Sequence, residues 1–321
     1  MITIVAYVAG VLVSAALLAP WFHAAGQAFA RMGQEHDWRD VAVLGGIVKA
    51  AEKTELPGYF DRAAMVAALA GLWPLFRMLK IEWRSVVGTV PASTGAKQLS
   101  LSFFVAASFL LVMDAVCLWF PVCKLEKNPP WLAVGAPLIS GFTVALLEEF
   151  LFRGAMLGML RRSLGVRPAV FWTTVIFAIL HFLKPPAHGS MVGEPVTWTS
   201  GFAVIPQLFR GFGEWQNFLA EFLLLVGVGW ALAHARVVTD GLWAGIGLHA
   251  GWVAGMKYFN QVTETTAALR RGDFMPWFAE NHCKSIVSPV VGFVPLFVVL
   301  LTGFLAVWLL RPQRVQPQGP T

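Results

Sequence analysis

Long apolar stretches recur along the whole of this 321-residue chain. A helix of about 20 apolar residues crosses the hydrocarbon core of a bilayer, where the backbone finds no water to bond. Only 13% of the residues are charged, against about 25% in soluble domains. The pattern predicts an all-α fold, a polytopic membrane helix bundle of about eight transmembrane helices. The predicted spans are 2–22, 63–80, 100–120, 132–160, 168–183, 216–235, 240–257 and 288–310.

The distribution of lysine and arginine predicts how the bundle is oriented. Short loops that are rich in bases and poor in acids lie on the cytoplasmic side of a membrane. The turn 161–167 and the segment around Arg236 have this character. We therefore expect an integral, multi-pass protein of a bacterial inner membrane, with both termini cytoplasmic. The first apolar stretch lacks a basic start, which favours a retained span over a cleaved signal peptide.

Two carboxylates and a guanidinium lie side by side inside an apolar stretch, in the sequence LLEEFLFR at 146–153. An ionisable residue at membrane depth costs roughly 2.5–3.5 kcal/mol, so it marks a candidate functional site. Glu149 and Arg153 have the i, i+4 spacing of an intrahelical ion pair, which predicts a supporting role. Glu148 is rotated by about 100° from Glu149 and has no partner at helical spacing. It is therefore the better candidate for chemistry.

Two histidines, His181 and His249, lie in separate apolar stretches further along the chain. Glu148 lies 13 residues before Arg161, and His181 lies 13 residues after Pro168, on the other side of the same basic turn. At about 1.5 Å per residue, both side chains lie roughly 20 Å from the cytoplasmic edge, and His249 lies at about 13 Å. These depths predict that an acid and two imidazoles from three helices meet.

Glycines are spaced to let the helices around these residues pack closely. In lipid, rows of small residues four positions apart allow helix backbones to approach each other. The rows are Gly154 with Gly158, Gly241 with Gly245, and Gly247 with Gly251 and Gly255.

Three motifs in this order resemble one family. They are Glu-Glu-x-x-x-Arg at 148–153, Phe-x-x-x-His at 177–181 and Gly-Leu-Trp-Ala-x-Ile-Gly-x-His at 241–249. The stretch 130–256 looks like the CPBP family of intramembrane glutamic endopeptidases. That family includes the type II CAAX prenyl proteases and bacterial bacteriocin-processing or immunity proteins. The resemblance implies an eight-span helical fold with a cavity open to the cytosol and the bilayer.

The resemblance also implies a role for each motif residue. Glu148 corresponds to the general base that activates water, and His181 helps to hold that water. His249 helps to stabilise the oxyanion of the tetrahedral intermediate, while Glu149 and Arg153 form the supporting pair. A carboxylate in an apolar cavity is a stronger base than an exposed one, which agrees with this assignment. No cofactor and no metal are predicted.

The third motif departs from the family pattern. The family has His-x-x-x-Asn, whereas this chain has Val253 four residues after His249. Valine cannot donate a hydrogen bond, and loss of one oxyanion donor costs about 10²–10³ in rate. Three alternatives to a metal-independent protease therefore stay open. They are a zinc-dependent variant with Glu148, His181 and His249 as ligands, a non-catalytic scaffold or immunity protein of the same fold, and a transporter.

The chain is predicted to divide into three parts. Residues 1–129 hold N-terminal spans and an amphipathic loop at 23–62, and residues 130–258 form the CPBP-like catalytic core. Residues 259–321 hold the last loop, the final span and a disordered tail rich in Pro and Gln. The predicted partners are membrane lipids and a peptide or membrane-protein substrate. No basic run with interleaved aromatics indicates a nucleic-acid partner.

Overall fold

The computed structural model describes residues 2–41, 44–82, 84, 86, 88, 90–183, 195–212, 215–280 and 290–311. These residues are mainly helical. The contacts divide the chain into two compact units. The first is Met1–Lys80 with Phe182–Gly213, and the second is Ile81–His181 with Glu214–Thr321. All the predicted site residues belong to the second unit.

The first unit is built on a helix of 34 residues, Ile2–Glu35 (α1). A 3-10 turn at Trp38–Asp40 and the helix Leu44–Lys53 (α2) lead into the helix Leu56–Leu79 (α3), which packs along α1. A 3-10 helix, Ser200–Phe212, also packs on α1. Its approach is so close that a Cβ on Gly201 would collide with the carbonyl of Ala16. The buried core of this unit consists mainly of alanine and larger aliphatic side chains, with one phenylalanine: Ala15, Ala16, Ala19, Leu56, Phe60, Ala63, Val204 and Leu208.

The second unit contains the remaining helices. A π-helical segment at Glu149–Met156 joins two of them without a break, so that Gly135–Leu164 is one continuous helical stretch. The helices in chain order are Ala92–Trp119 (α4), Gly135–Glu148 (α5), Leu157–Leu164 (α6), Val166–Phe182 (α7), Trp215–Thr239 (α8), Trp243–Val262 (α9), Ala267–Arg270 (α10) and Phe293–Leu310 (α11).

Helix α9 packs against α4, α5 and α8 within the second unit. Of its 20 residues, 14 are buried, so protein rather than lipid surrounds most of it. The predicted glycine row allows this packing, because a Cβ on Gly251 would lie 2.7 Å from the carbonyl oxygen of Phe103. A Cβ on Gly255 would lie 2.9 Å from Leu110. Among the residues described, nothing lies within 4 Å of a Cβ on Gly158, so the predicted packing role has no support there.

Two short antiparallel ribbons follow the helices of this unit. The strand Cys123–Leu125 (β1) comes after α4 and pairs with Thr263–Thr265 (β2), which comes after α9. Lys124 lies opposite Glu264, with Nζ 2.7 Å from Oε1. The hydrogen bond and charge of Lys124 lower the pKa of the Glu264 carboxyl. The second ribbon pairs Ala279–Glu280 (β3) with Val290–Val291 (β4).

Six helices of the described chain are long and apolar enough to cross a membrane. They are Val5–Glu35, Leu56–Leu79, Ala92–Trp119, Gly135–Leu164, Phe218–Thr239 and Phe293–Leu310. The predicted class, an all-α membrane helix bundle, is confirmed. Every predicted span coincides with a helix, but the count of eight is not confirmed. Helix α7 has only 17 residues. Helix α9 is less apolar than the six candidate spans. A less apolar helix is tolerated here because most of it is surrounded by protein.

The boundaries of the first spans differ from the prediction. Helix α1 does not end near residue 22 but continues to Glu35, so the first part of the predicted loop 23–62 is helical. The stretch 23–35 contains several alanines, which favour helix. The backbone first turns left-handed at Asp37, with a φ of 54°. The predicted disordered tail at 312–321 lies outside the described residues. The predicted division at residues 129 and 258 stays a prediction.

Candidate active site

The paired glutamates lie where the helix changes its winding. Helix α5 ends at Glu148, and the π-helical segment begins at Glu149. A π-helix has a wider turn than an α-helix, and single π turns occur frequently at functional sites. Glu148 and Glu149 themselves keep α-helical dihedral angles, and the carboxylates of both reach the imidazole of His249 on α9.

Glu149 and Arg153 form a buried ion pair, as the i, i+4 spacing predicts. The Nη1 atom of Arg153 lies 3.0 Å from Oε1 of Glu149, and neither side chain is exposed. The guanidinium also donates from Nη2 to the carbonyl oxygen of Gly229, at 3.2 Å, and lies 4.3 Å above the ring of Phe177. Arg153 is thus held in place by a cation–π contact with α7 and a hydrogen bond to α8.

Glu149 also binds His249, a contact that the sequence did not indicate. The same Oε1 atom lies 3.0 Å from Nδ1 of His249. Because a carboxylate can only accept, Nδ1 carries a proton and the imidazole presents Nε2 on its other side. Gly245 makes room for this arrangement, since a Cβ there would lie 2.7 Å from Oε2 of Glu149. One buried carboxylate therefore connects Arg153 to His249 and fixes the ring orientation of the histidine.

His181 is held in the same manner from a different helix. Its Nδ1 atom lies 2.8 Å from the carbonyl oxygen of Phe177, which can only accept. The ring also packs against that of Phe177, with the centroids 4.2 Å apart. The Nε2 atom of His181 is therefore the one that faces the carboxylates.

Glu148 lies between the two imidazoles. Its Oε2 atom is 3.6 Å from Nε2 of His181 and 3.8 Å from Nε2 of His249. The side chain of Glu148 is 23% exposed, whereas that of Glu149 is fully buried. Of the two adjacent carboxylates, the side chain of Glu148 is thus the more exposed, although its Oε2 atom is itself buried. The distances to both rings exceed those of a direct hydrogen bond and can be spanned by one bridging group.

The structure brings five of the six predicted site residues together: Glu148, Glu149, Arg153, His181 and His249. The sixth, Val253, is buried one helical turn beyond His249 on α9. The part of the chain that the structure describes contains no group of three or more His, Cys, Asp or Glu side chains arranged to hold a metal ion.

Three residues that contribute to this geometry were not predicted as part of it. Phe177 is the first residue of the Phe-x-x-x-His motif, so its i, i+4 relation to His181 was a usable signal. Gly245 stood in a predicted packing row, but its contact with a carboxylate has no signature in the sequence. Gly229, whose carbonyl accepts from Arg153, is 76 residues from it in the chain. No sequence pattern predicts a backbone acceptor at such a distance.

Fold and site together define the class of protein: a multi-pass integral membrane protein with a carboxylate and two imidazoles converging inside a helix bundle. The family resemblance is confirmed for this part of the chain. Residues 130–255 match the family model described as type II CAAX prenyl endopeptidase, Rce1-like. A search of curated proteins and a search of solved structures returned no match. At the level of class, the family match supports a membrane protease that acts on a peptide substrate.

Proposed function

We propose that the chain is an intramembrane endopeptidase that hydrolyses a peptide bond with a Glu-activated water. The observation that carries the proposal is the position of Glu148 Oε2, within 3.8 Å of the Nε2 atoms of both His181 and His249. We place the active site in the cytoplasmic half of the membrane, on the side of the basic turn 161–167 that follows the glutamates.

Glu148 acts as the general base. Its carboxylate removes a proton from a water molecule that His181 orients through Nε2, and the oxygen of that water attacks the scissile carbonyl carbon. General-base catalysis of this kind contributes about 10²–10⁴ in rate. The partial exposure of Glu148, beside the full burial of Glu149, supports the choice between the two carboxylates.

His249 stabilises the negative charge that develops on the carbonyl oxygen. With a proton on Nε2, the ring donates to the oxyanion while Nδ1 donates to Glu149. The charges of Glu148, Glu149, Arg153 and this imidazolium then sum to zero, which suits a site of low dielectric constant. The bond from His249 to Glu149 fixes the ring in advance, so little reorganisation is needed as charge develops.

The reaction is completed by the proton that Glu148 holds. The protonated carboxyl donates it to the amide nitrogen of the tetrahedral intermediate, the carbon–nitrogen bond breaks, and an amine and a new carboxylic acid leave. Glu148 returns to its ionised form, so the cycle balances without a cofactor. Arg153 does not contact the reacting atoms in this scheme and acts as a positioning residue through Glu149.

Peptide cleavage by purified protein tests this proposal. Prenylated and unprenylated peptides with a C-terminal CAAX sequence are suitable first substrates, since the family match carries that name. We expect cleavage by wild type and at least a 10²-fold loss in Glu148→Gln. Glu264→Gln is the matched control, because it removes an exposed carboxylate from the ribbon. Equal activity of Glu148→Gln and wild type would overturn the assignment of the base.

Val253 favours a second candidate function, a scaffold or immunity protein that keeps the fold without cleaving. This residue stands where the family has an asparagine, and it is buried on the helix that carries His249. A protein without catalysis needs no donor there. Absence of cleavage in wild type and in Val253→Asn, across substrates that related enzymes process, would favour this function over the protease.

A further inference from the structure

A strongly cationic cavity of about 420 Å³ lies in the second unit, and its described lining does not include His181 or His249. Five of its nine lining residues are arginines and one is an aspartate, so the lining side chains carry a formal charge of +4. The charged residues that line it are Arg84, Arg153, Arg161, Arg162, Arg236 and Asp240. We call this the arginine pocket.

Among the described lining residues of the arginine pocket, five arginines accompany one aspartate, and Arg153 is also paired with the buried Glu149. Arg236 is 5% exposed and lies 3.3 Å from Asp240, whose own side chain is largely in solvent. Its Nη2 atom donates to the carbonyl of Val86, at 3.5 Å. Arg161 and Arg236 line the same cavity, so their like charges repel each other. Like charges gathered in a partly enclosed cavity are costly, and a bound anion reduces that cost.

The chemistry of the lining indicates which anion fits. A guanidinium presents a rigid fork of N–H donors that matches the oxygens of a phosphate or carboxylate. The arginine pocket lies at the ends of two candidate spans, since Arg161 and Arg162 end α6 and Arg236 lies in the last turn of α8. The ends of spans lie near the headgroup region of a bilayer, where phosphate is the abundant anion.

We propose that the arginine pocket binds a phosphate group, carried by an anionic phospholipid headgroup or free in solution. The bound group contacts Arg84, Arg161 and Arg236 from the open side. Arg153 lines the same cavity while its Nη1 atom holds Glu149. The phosphate therefore binds beside the guanidinium that positions the buried carboxylate.

Two independent kinds of variant remove this site. Arg84→Gln/Arg161→Gln deletes two donors whose side chains are exposed or half-buried. Gly158→Leu instead fills the cavity, because Gly158 lines it and a Cβ there meets no described atom within 4 Å. Gly158→Ala is the matched control for the filling variant. Lys97→Gln/Arg167→Gln is the matched control for charge, since both residues are exposed and lie outside the arginine pocket.

The test uses the full-length protein purified in neutral detergent and in nanodiscs. Native mass spectrometry and thermal unfolding are followed with added inorganic phosphate, with phosphatidylglycerol and with phosphatidylcholine. We expect phosphatidylglycerol or inorganic phosphate to bind and to raise the unfolding temperature of wild type. Affinity should fall about tenfold or more in both pocket variants, as for loss of charge-assisted hydrogen bonds. Both controls should keep it.

Each outcome decides a specific point. Stabilisation by inorganic phosphate identifies a site for the free anion, whereas stabilisation by phosphatidylglycerol alone identifies a headgroup site. Unchanged affinity in both pocket variants would overturn the proposal, and so would an equal loss in the Lys97→Gln/Arg167→Gln control. Binding of neither ligand to wild type would also overturn it. None of these readouts depends on peptide cleavage, so they are separate from the proposed enzymatic function.

Discussion

Replacement of Glu149 by glutamine tests the buried ion pair at the centre of the site. The Oε1 atom of Glu149 accepts from Arg153 Nη1 and from His249 Nδ1, each at 3.0 Å, and the side chain is fully buried. Glutamine has almost the same size and keeps one acceptor oxygen, but it removes the negative charge. Arg153, which is also fully buried, then loses its counter-charge.

The expected cost follows from these contacts. Leaving one charge of a buried pair uncompensated costs about 3–5 kcal/mol. Loss of two charge-assisted hydrogen bonds, at about 1.5–3 kcal/mol each, gives a similar total. Because the glutamine oxygen retains part of the bonding, we expect a loss near 3 kcal/mol. This corresponds to about a 10²-fold shift toward the unfolded state.

The assay is the unfolding free energy of wild type, Glu149→Gln and Glu148→Gln, measured by denaturant titration in mixed micelles. Glu148→Gln is the matched control, since it changes the neighbouring carboxylate, whose side chain is 23% exposed whereas that of Glu149 is fully buried. We expect this control to lose less than Glu149→Gln, because water reaches part of the Glu148 side chain. Equal losses in both variants, or no loss in Glu149→Gln, would refute the reasoning.

Three further predictions follow from the same geometry. Gly245→Ala should lower activity and cost about 1–3 kcal/mol of unfolding free energy, because the added Cβ would lie 2.7 Å from Oε2 of the buried Glu149. Gly158→Ala should instead stabilise the protein by about 0.5–1 kcal/mol. Unfolding and cleavage measurements on both variants check this prediction. In an active protease Val253→Asn should raise turnover by up to about 10²–10³ by adding an oxyanion donor; a loss of about 1–3 kcal/mol with no gain in turnover would instead indicate an unpaired buried amide. Cysteines introduced at Ser163 and Lys127 in a cysteine-free background should be labelled from opposite sides of the membrane, Ser163 from the cytoplasm; labelling of both from one side would contradict the predicted topology.

Much of the site was predictable because its chemistry is rare in this setting. Ionisable side chains inside apolar stretches are few, so Glu148, His181 and His249 were identified by position alone. The depth calculation used only the helical rise and a shared basic turn, and the structure brings their side chains within 3.8 Å. The ion pair of Glu149 and Arg153 was equally predictable from the sequence, since the two residues lie one helical turn apart.

The bond between Glu149 and His249 was not predictable in this way. The two residues are 100 positions apart in the chain, and no local spacing relates them. An α-helical rotation of about 100° between Glu148 and Glu149 also predicted that they face different neighbours. Both residues keep α-helical dihedral angles, but the ring of His249 presents Nδ1 to Glu149 and Nε2 to Glu148, so that one imidazole reaches both carboxylates. The position of this ring depends on tertiary packing, which a sequence pattern does not contain.

The extent of helix α1 was missed for a different physical reason. Prediction of spans rests on apolar length, and the apolar stretch ends near residue 22, but helix formation does not require apolar side chains. The predicted count of eight spans is not confirmed at α9 for the opposite reason. That helix is buried by protein, so its hydropathy falls below that of a lipid-facing span although it carries His249.

The most direct test of the central claim compares new peptide termini in membranes of cells that produce wild type or Glu148→Gln at equal levels. If Glu148 is the base of an intramembrane endopeptidase, a defined set of new C-termini should appear with wild type and be absent with Glu148→Gln. Identical sets of termini in the two membranes, or cleavage that requires Glu149 and not Glu148, would contradict the account.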